Sequence, residues 1–207
     1  MASESTDFGS ASPTAKLRPA DLLSLERYAR ERAALRPRII AHKKRRTVPC
    51  GPNVTFCFED RLTVQYQVQE MLRIERIFEA EGIADELAAY NPLIPDGSNW
   101  KATLLVEFPD PAERRAALAR LKGIEDRCWV EVEGQPRVHA IADEDLEREN
   151  EEKTSSVHFL RFELTKEMVD ALRYGVALSM GVDHDHYRHA VEPLPADVRN
   201  ALAGDLA

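Results

Sequence analysis

The stretch from residue 101 to residue 141 constrains the fold most, because strand and helix patterns follow one another there with clear boundaries. Apolar side chains alternate at its start, which predicts a strand: Ala102, Leu104, Val106 and Phe108. Asp110 and Pro111 suit the cap and the first position of a helix that Gly123 ends. Residues 128–141 then predict a hairpin around Gly134. The stretch therefore predicts a β–α–β–β unit.

A second strand–helix–strand pattern lies nearer the C-terminus. Residues 157–164 predict a strand, with His158, Leu160, Phe162 and Leu164 on one side. Thr165 can cap the helix that follows, and Gly175 ends it. Residues 176–180 form a short apolar strand in this interpretation. A small terminal helix is expected after Pro195.

Helical periodicity dominates the first 90 residues. The strongest pattern covers residues 60–81, and Gly82 is a natural C-terminal stop. An earlier helix begins at Pro19 and is interrupted at Pro37, after which a second short helix is expected. The broad apolar face of the 60–81 helix indicates that these helices pack on the sheet.

Together these patterns predict the α+β class, with a helical N-terminal part packed on a mixed or antiparallel sheet that contains two β–α–β units. A ferredoxin-like arrangement with an extra strand is one topology consistent with this order. The expected divisions are a disordered tail at 1–15, a helical part at 16–95 and an α+β sandwich at 96–207. We expect the last two parts to form one compact unit.

Composition argues against several classes of protein. The 207 residues contain no apolar run near the roughly 20 residues of a membrane span. Residues 1–15 lack the basic start and the apolar stretch of a secretory signal. The three cysteines, Cys50, Cys57 and Cys128, do not suit a disulfide framework or a zinc pattern. The sequence therefore predicts a cytoplasmic protein with buried structural thiols and no membrane contact.

Charge is unevenly distributed along the chain. Residues 1–48 hold 11 Lys or Arg against 5 Asp or Glu, whereas the net charge of the whole chain is −8. The basic side chains concentrate between Arg36 and Arg46, a run that can neutralise phosphates. Because the body is acidic and no aromatic side chains interleave with the run, nucleic acid is not the favoured partner. A solvated helix end, or a contact with the protein's own acidic surface, is favoured instead, and an acidic partner is the alternative.

Three of the six histidines fall close together, at His184, His186 and His189. In an extended segment His184 and His186 point to the same side, and a turn can bring His189 to them. Imidazoles with nearby carboxylates are typical ligands of transition metals, and zinc or iron are the ions expected here. The alternative is a polar exposed turn, because the His-x-His pattern often occurs by chance.

The long helix also carries a polar stripe at near-helical spacing: Gln65, Gln69, Arg73 and Arg76. We interpret it as a solvated face with ion pairs, and a polar binding groove is the alternative. The sequence contains no GxSxG, P-loop or GxGxxG motif. No catalytic residue is therefore predicted, and the sequence does not favour an enzyme.

Several short segments carry a family resemblance. They are Val48-Pro49-Cys50-Gly51-Pro52-Asn53-Val54-Thr55, Phe58-Glu59-Asp60-Arg61, residues 67–73, Tyr90-Asn91-Pro92-Leu93-Ile94-Pro95, residues 102–104, residues 157–162 and Val182-Asp183-His184. In these segments the chain resembles an uncharacterised bacterial family, domain-of-unknown-function family 3501. The resemblance covers nearly the whole chain after the tail.

The resemblance implies a setting rather than an activity. Genes of that family often lie beside genes for rubrerythrin-like proteins and iron–sulfur proteins, which implies a redox or metal-stress system. The first functional expectation is therefore an accessory protein that acts through contacts with such partners. The alternative is a metal-binding protein or metalloenzyme that uses the three C-terminal histidines.

Overall fold

The computed structural model describes residue 8 and residues 12–144, 148, 150 and 152–207. The chain forms two compact units. The helical unit comprises Met1–Lys44 and Glu59–Asp96, and the β unit comprises Arg45–Phe58 and Gly97–Ala207. Residues 45–58, which the sequence places in the helical part, belong to the β unit because they supply two strands of a sheet. Most of the expected disordered tail, residues 1–7 and 9–11, lies outside the described residues.

The described residues of the helical unit contain three α-helices: α1 at Leu25–Lys44, α2 at Arg61–Glu75 and α3 at Ala80–Tyr90. Short 3-10 turns lie at Pro19–Asp21 and Asn91–Leu93. The expected break at Pro37 is wrong, since α1 continues through it. Leu35 and Ile39, on either side of Pro37, are both buried, and their packing holds the helix together despite the lost hydrogen bond.

Helix α2 begins at a capping box. The Asp60 carboxylate accepts from the Thr63 amide at 2.8 Å, and the Thr63 hydroxyl accepts from the Asp60 amide at 2.9 Å. The helix ends six residues earlier than the predicted Glu81, because Arg76 adopts a left-handed conformation with φ of 56°. Ile77 then bonds back to the Leu72 carbonyl, which closes the helix without a glycine.

The β unit contains two sheets. In chain order, the five-stranded sheet is built from β1 at Thr47–Pro49, β2 at Val54–Glu59, β3 at Asn99–Val106, β6 at Ile141–Ala142 and β7 at Val157–Glu163. Its spatial order is β1-β2-β3-β7-β6. The four-stranded sheet is built from β4 at Cys128–Val132, β5 at Val138–His139, β8 at Leu178–His184 and β9 at Tyr187–Val191, in the order β5-β4-β8-β9.

Three α-helices also lie among the described residues of the β unit: α4 at Pro111–Arg120, α5 at Lys166–Arg173 and α6 at Ala196–Ala203. The α+β class is confirmed. The predicted units β3–α4–β4 and β7–α5–β8 are both present, but each starts in the five-stranded sheet and ends in the four-stranded one. This division differs from a ferredoxin-like sheet, in which the strands of both units lie side by side.

Both sheets contribute to one hydrophobic core, in which Phe56, Trp100 and Met180 are almost fully buried. The chain's last helix is fixed to this core by the Trp100 indole, which donates to the Leu202 carbonyl at 2.9 Å. Among the described residues, the structure has no helix with both the length and the apolar character to cross a membrane.

Candidate functional site

The three predicted metal ligands lie on the hairpin formed by β8 and β9. His184 is buried, and both of its ring nitrogens bond to the backbone: Nε2 donates to the Lys122 carbonyl at 3.0 Å, and Nδ1 accepts from the His186 amide at 3.2 Å. His186 and His189 are exposed. The rings of His184 and His186 lie 5.8 Å apart, whereas His189 contacts Tyr187. The metal assignment itself stays a prediction.

The hairpin's most connected side chain is Tyr187. Its hydroxyl donates to the Cys50 carbonyl at 2.7 Å and accepts from the amides of Asn53 and Val54 at 3.0 and 3.1 Å. These three bonds hold the turn between β1 and β2, which contains one of the segments that carry the family resemblance. That segment therefore has a structural role as the partner of Tyr187.

The same turn requires a glycine. Gly51 has a φ of 77°, and a side chain there would meet the His189 ring at 2.5 Å. The neighbouring Cys50 thiol is buried and donates to the His189 carbonyl at 3.3 Å. Burial raises the pKa of this thiol to about 11, so it stays protonated and unreactive at neutral pH. Burial of Cys50 agrees with the structural role that the sequence predicts.

A second group of ionisable side chains, which the sequence does not predict, lies inside the β unit. Its members among the described residues are Glu125, Asp143 and His158. Each offers one possible metal-ligand atom, and these three atoms lie within 4.8 Å of one another. His158 is fully buried, and the side chains of Asp143 and Glu125 are 9% and 11% exposed. The group is therefore shielded from solvent.

Asp143 fixes one edge of the His158 ring. Its Oδ2 lies 2.6 Å from the ring's Nδ1, and its Oδ1 accepts from the Phe159 amide at 2.9 Å and from Arg148 at 3.3 Å. The backbone amide of Asp143 also donates to the Phe159 carbonyl at 2.9 Å. Because a carboxylate can only accept, Nδ1 carries the proton of this bond.

Three oxygen atoms face the other ring nitrogen. His158 Nε2 lies 3.1 Å from the Thr154 hydroxyl, 3.1 Å from the Ser155 carbonyl and 3.6 Å from Glu125 Oε2. The carbonyl and the carboxylate can only accept hydrogen bonds. The Thr154 hydroxyl can donate to this nitrogen or to Glu125, and a cation bound at this position would contact the same oxygen atoms.

Four segments of the β unit bring this group together. Glu125 lies on the 3-10 turn Glu125–Arg127 before β4, Asp143 follows β6, and His158 belongs to β7. Thr154 is fixed by its amide, which donates to the Leu118 carbonyl in α4 at 3.2 Å. The only local signal in the sequence is that His158 occupies an inward position of a strand whose other inward residues are apolar. Its partners are too distant along the chain to predict.

The helical unit has an open apolar groove of about 370 Å³. It is lined mainly by the segment that leads into α1, by the first residues of α1 and by the connection between α2 and α3, and its apolar side chains are Leu22, Leu25, Leu72, Ile77, Phe78 and Ile83. Phe78 is 69% exposed, and Ile74 at the end of α2 is 60% exposed. Contiguous exposed apolar surface is a common feature of sites that bind other molecules.

The polar stripe of α2 is solvated at its C-terminal end, where Arg76 is exposed and Arg73 pairs with Glu70, but that interpretation is wrong for the two glutamines. Gln65 and Gln69 are buried, and their side chains bond to the backbone of Asp21 and Leu23 at 2.6 Å. These bonds fix the segment before α1, whose backbone groups would otherwise be unpaired. The two glutamines therefore have a structural role inside the helical unit.

An ion pair is present beside this stripe, with a partner from another helix. Glu70 accepts from two nitrogens of Arg32 at 2.7 and 2.8 Å and from the Tyr28 hydroxyl at 2.6 Å. The hydrogen bonds from Arg32, with that from Tyr28, lower the pKa of the Glu70 carboxyl to about 2. Glu70 therefore stays ionised over the whole physiological range.

Comparison with known proteins places the chain in a family. A family model described as a protein of unknown function, DUF3501, matches residues 16–206. The chain belongs to this family. A crystal structure of a novel protein of unknown function from Burkholderia pseudomallei K96243 is 53% identical to it, with a TM-score of 0.89, and covers 93% of this chain and 100% of that one. No curated protein matches the chain. The DUF3501 resemblance is thus confirmed, and it assigns no function.

Proposed function

We propose that this protein is a cytoplasmic accessory protein whose helical unit binds an amphipathic helix of a partner protein. The observation that carries the proposal is the apolar groove beside Phe78, whose ring is 69% exposed. A groove of this kind accepts the apolar face of a helix, in which residues three and four apart form one stripe. Cys50, Cys57 and Cys128 form no disulfide, which suits the reducing conditions of a cytoplasm.

The charges around the groove indicate the partner's composition. Helix α3 carries Glu81, Asp85 and Glu86 and no Lys or Arg, and Glu79 precedes it. Glu26, at the other side of the lining, is also acidic and exposed. The complementary ligand is a helix whose apolar stripe is flanked by Lys or Arg.

The pKa of Glu86 shows that its neighbouring carboxylates repel it. Partial burial raises the pKa of its carboxyl, and the nearby carboxylates of Glu75 and Asp85 raise it further. A basic side chain placed at this rim relieves the repulsion between the three carboxylates. The acidic rim therefore favours a basic ligand and rejects an acidic one.

The family resemblance suggests which partners to test first. Rubrerythrin-like proteins and iron–sulfur proteins are the candidates, because their genes often lie beside those of the family. In that setting the protein acts as an accessory component of a redox or metal-stress system. An acidic partner surface for the basic run between Arg36 and Arg46 stays a prediction, and the last residue of that run, Arg46, is buried.

Site-specific photo-crosslinking in the native host tests the groove. A photoreactive phenylalanine analogue replaces Phe78 in one variant and Tyr174, which is 90% exposed on the β unit, in the control. We expect a discrete product from position 78 alone, with a cross-linked peptide that is apolar and flanked by Lys or Arg. Equal labelling at both positions, or an acidic peptide, would contradict the proposal.

Metal binding by the β8–β9 hairpin is the second candidate function. The observation in its favour is the 5.8 Å separation of the His184 and His186 rings, which lets two imidazoles share one ion. His184 must first give up a backbone bond. Elemental analysis of the wild type and of His186→Ala/His189→Ala tests this candidate. If the hairpin binds the ion, the wild type contains near-stoichiometric zinc or iron and the double variant contains none. A double variant that retains the ion would contradict this candidate.

A further inference from the structure

The position beside His158 Nε2 combines burial, negative charge and several oxygen atoms. His158 is fully buried, and the Glu125 side chain is 11% exposed. The oxygens that face Nε2 come from a carboxylate, a hydroxyl and a backbone carbonyl. Buried charged groups in proteins are paired or coordinate metal ions, and here four buried donor atoms converge on one point.

We propose that Glu125, Thr154, Ser155 and His158 hold one divalent transition-metal ion of the zinc, manganese or iron(II) class. The ligands are Nε2 of His158, Oε2 of Glu125, the Thr154 hydroxyl and the Ser155 carbonyl. One imidazole with three oxygens is a mixed donor set that suits these ions. The proposal concerns the β unit and is independent of the groove on the helical unit.

The distances between the donor atoms fit a coordination shell. Two ligands of a tetrahedral ion with bonds of about 2.0–2.2 Å lie about 3.3–3.6 Å apart, and those of an octahedral ion lie about 3.0 Å apart. His158 Nε2 lies 3.1 to 3.6 Å from its three oxygens, and the Thr154 hydroxyl lies 3.5 Å from Glu125 Oε2. A single N–H on Nε2 can form a well-aligned hydrogen bond to only one of these oxygens, whereas a metal ion can coordinate all three.

Asp143 has a separate role in this arrangement. Its Oδ2 lies 2.6 Å from Nδ1, which is too short for an ion between the two atoms but suits a direct hydrogen bond. A carboxylate that accepts from the second ring nitrogen is the usual partner of a metal-bound histidine, because it fixes the tautomer and the ring orientation. Asp143 is therefore a positioning residue, and Nε2 is the nitrogen directed at the ion.

The burial indicates what the ion does. A site without an open position for water or substrate is structural, and its binding energy contributes to folding. Here the ion joins the turn before β4, the segment before β7 and β7 itself. We infer that the ion stabilises the β unit and takes no part in a reaction.

Refolding in the presence of zinc tests the site, because a closed site is loaded most readily while the chain folds. The full chain, without a histidine tag, is unfolded with chelator, refolded with and without Zn²⁺, desalted and measured by elemental analysis and thermal unfolding. We expect about one zinc per chain and a higher unfolding midpoint with zinc. Circular dichroism confirms that each variant is folded.

Two pairs of variants locate the ion. Glu125→Gln and Thr154→Val each remove one donor at nearly constant volume, and we expect the retained zinc to fall at least tenfold. Thr154→Ser keeps the hydroxyl and retains the ion, as does the hairpin control His186→Ala/His189→Ala. If Glu125→Gln does not fold, the comparison of Thr154→Val with Thr154→Ser decides alone.

Three results would overturn the proposal: a wild type that binds no zinc, a Thr154→Val variant that retains as much zinc as Thr154→Ser, or a hairpin control that loses its zinc. The first result means that hydrogen bonds within the group, without an ion, satisfy its polar atoms. The last result assigns the ion to the hairpin.

Discussion

Two histidine-bearing regions of the β unit differ in how their side chains are assembled. In the β8–β9 hairpin the three imidazoles are neighbours along the chain, and two of them are exposed. In the group around His158 the two carboxylate partners, Asp143 and Glu125, come from segments 15 and 33 residues away, and the ring is fully buried. Groups assembled by the fold are desolvated and depend on several elements at once, whereas neighbours along the chain remain solvated and act locally.

This difference has a consequence for energetics. A buried charged pair is costly to break, because the remaining partner stays desolvated and unpaired. An exposed pair is screened by water and contributes little. Variants that compare one fold-assembled residue with one local residue of the same type therefore measure the difference directly.

The largest effect is expected at the salt bridge between Arg46 and Asp205. Both side chains are about 5% exposed, and two bonds of 2.5 and 2.7 Å join them. Asp205→Ala should lower the free energy of unfolding by about 3–5 kcal/mol. Asp170→Ala, which removes the exposed pair with Lys166, should cost about 0.5 kcal/mol or less. Urea titration followed by circular dichroism measures both, and equal losses would contradict the comparison.

The next effect concerns two tyrosines. Tyr187→Phe removes one donated and two accepted hydrogen bonds at the turn between β1 and β2, which should cost about 2–3 kcal/mol. Tyr174 is 90% exposed, so Tyr174→Phe should be neutral within about 0.5 kcal/mol. Thermal unfolding of the two variants compares them. A neutral Tyr187→Phe would show that water replaces the hydroxyl at the turn.

Two glutamates extend the comparison to the helical unit. The pKa of Glu70 is lowered to about 2, so its contribution is complete above the ordinary glutamate pKa and is lost as the pH falls toward 2. Glu70→Gln should cost roughly 1–3 kcal/mol at pH 7, and the difference from wild type should shrink between about pH 4.5 and pH 2.

The matched control is Glu31→Gln, which removes a partly exposed pair with Arg27 inside α1. Its cost should be about 0.5 kcal/mol or less at pH 7. Urea titrations at pH 7, 4 and 2.5 measure both variants. If Glu70→Gln lowers the free energy of unfolding by the same amount at all three pH values, packing rather than charge explains the loss of stability.

The smallest effect is expected at the exposed histidines. His186→Ala should change the free energy of unfolding by less than about 0.5 kcal/mol, because the ring lies at the surface of the turn. Denaturation without added metal measures it. A loss of more than about 1 kcal/mol in the free energy of unfolding would show that the His186 ring stabilises the fold, and the hairpin histidines would then not differ from His158 in this respect.

The sequence predicts what depends on neighbouring residues. The start of α2 follows from the Asp60 cap, and the units β3–α4–β4 and β7–α5–β8 follow from alternation and capping. The end of α2 is missed because Arg76 takes a left-handed conformation that is typical of glycine. No local pattern shows that a β–α–β unit crosses between two sheets, since that depends on which strands pair.

The same reasoning explains the candidate sites. The hairpin histidines are recognised because they lie within six residues of sequence. The polar stripe of α2 is misread because burial of Gln65 and Gln69 depends on the segment before α1. The group around His158 is missed because Glu125 and Asp143 meet it only when β6, β7 and the turn before β4 are in place.

Anomalous X-ray diffraction from crystals grown with zinc tests most directly where the protein holds an ion. We expect one strong anomalous peak about 2.0–2.3 Å from His158 Nε2 and within bonding distance of Glu125 and Thr154, with the hydrogen bond between Asp143 and Nδ1 retained. A strong peak between the rings of His184 and His186 with none at His158, or an Nε2 that bonds only to the Ser155 carbonyl and has no peak beside it, would contradict it.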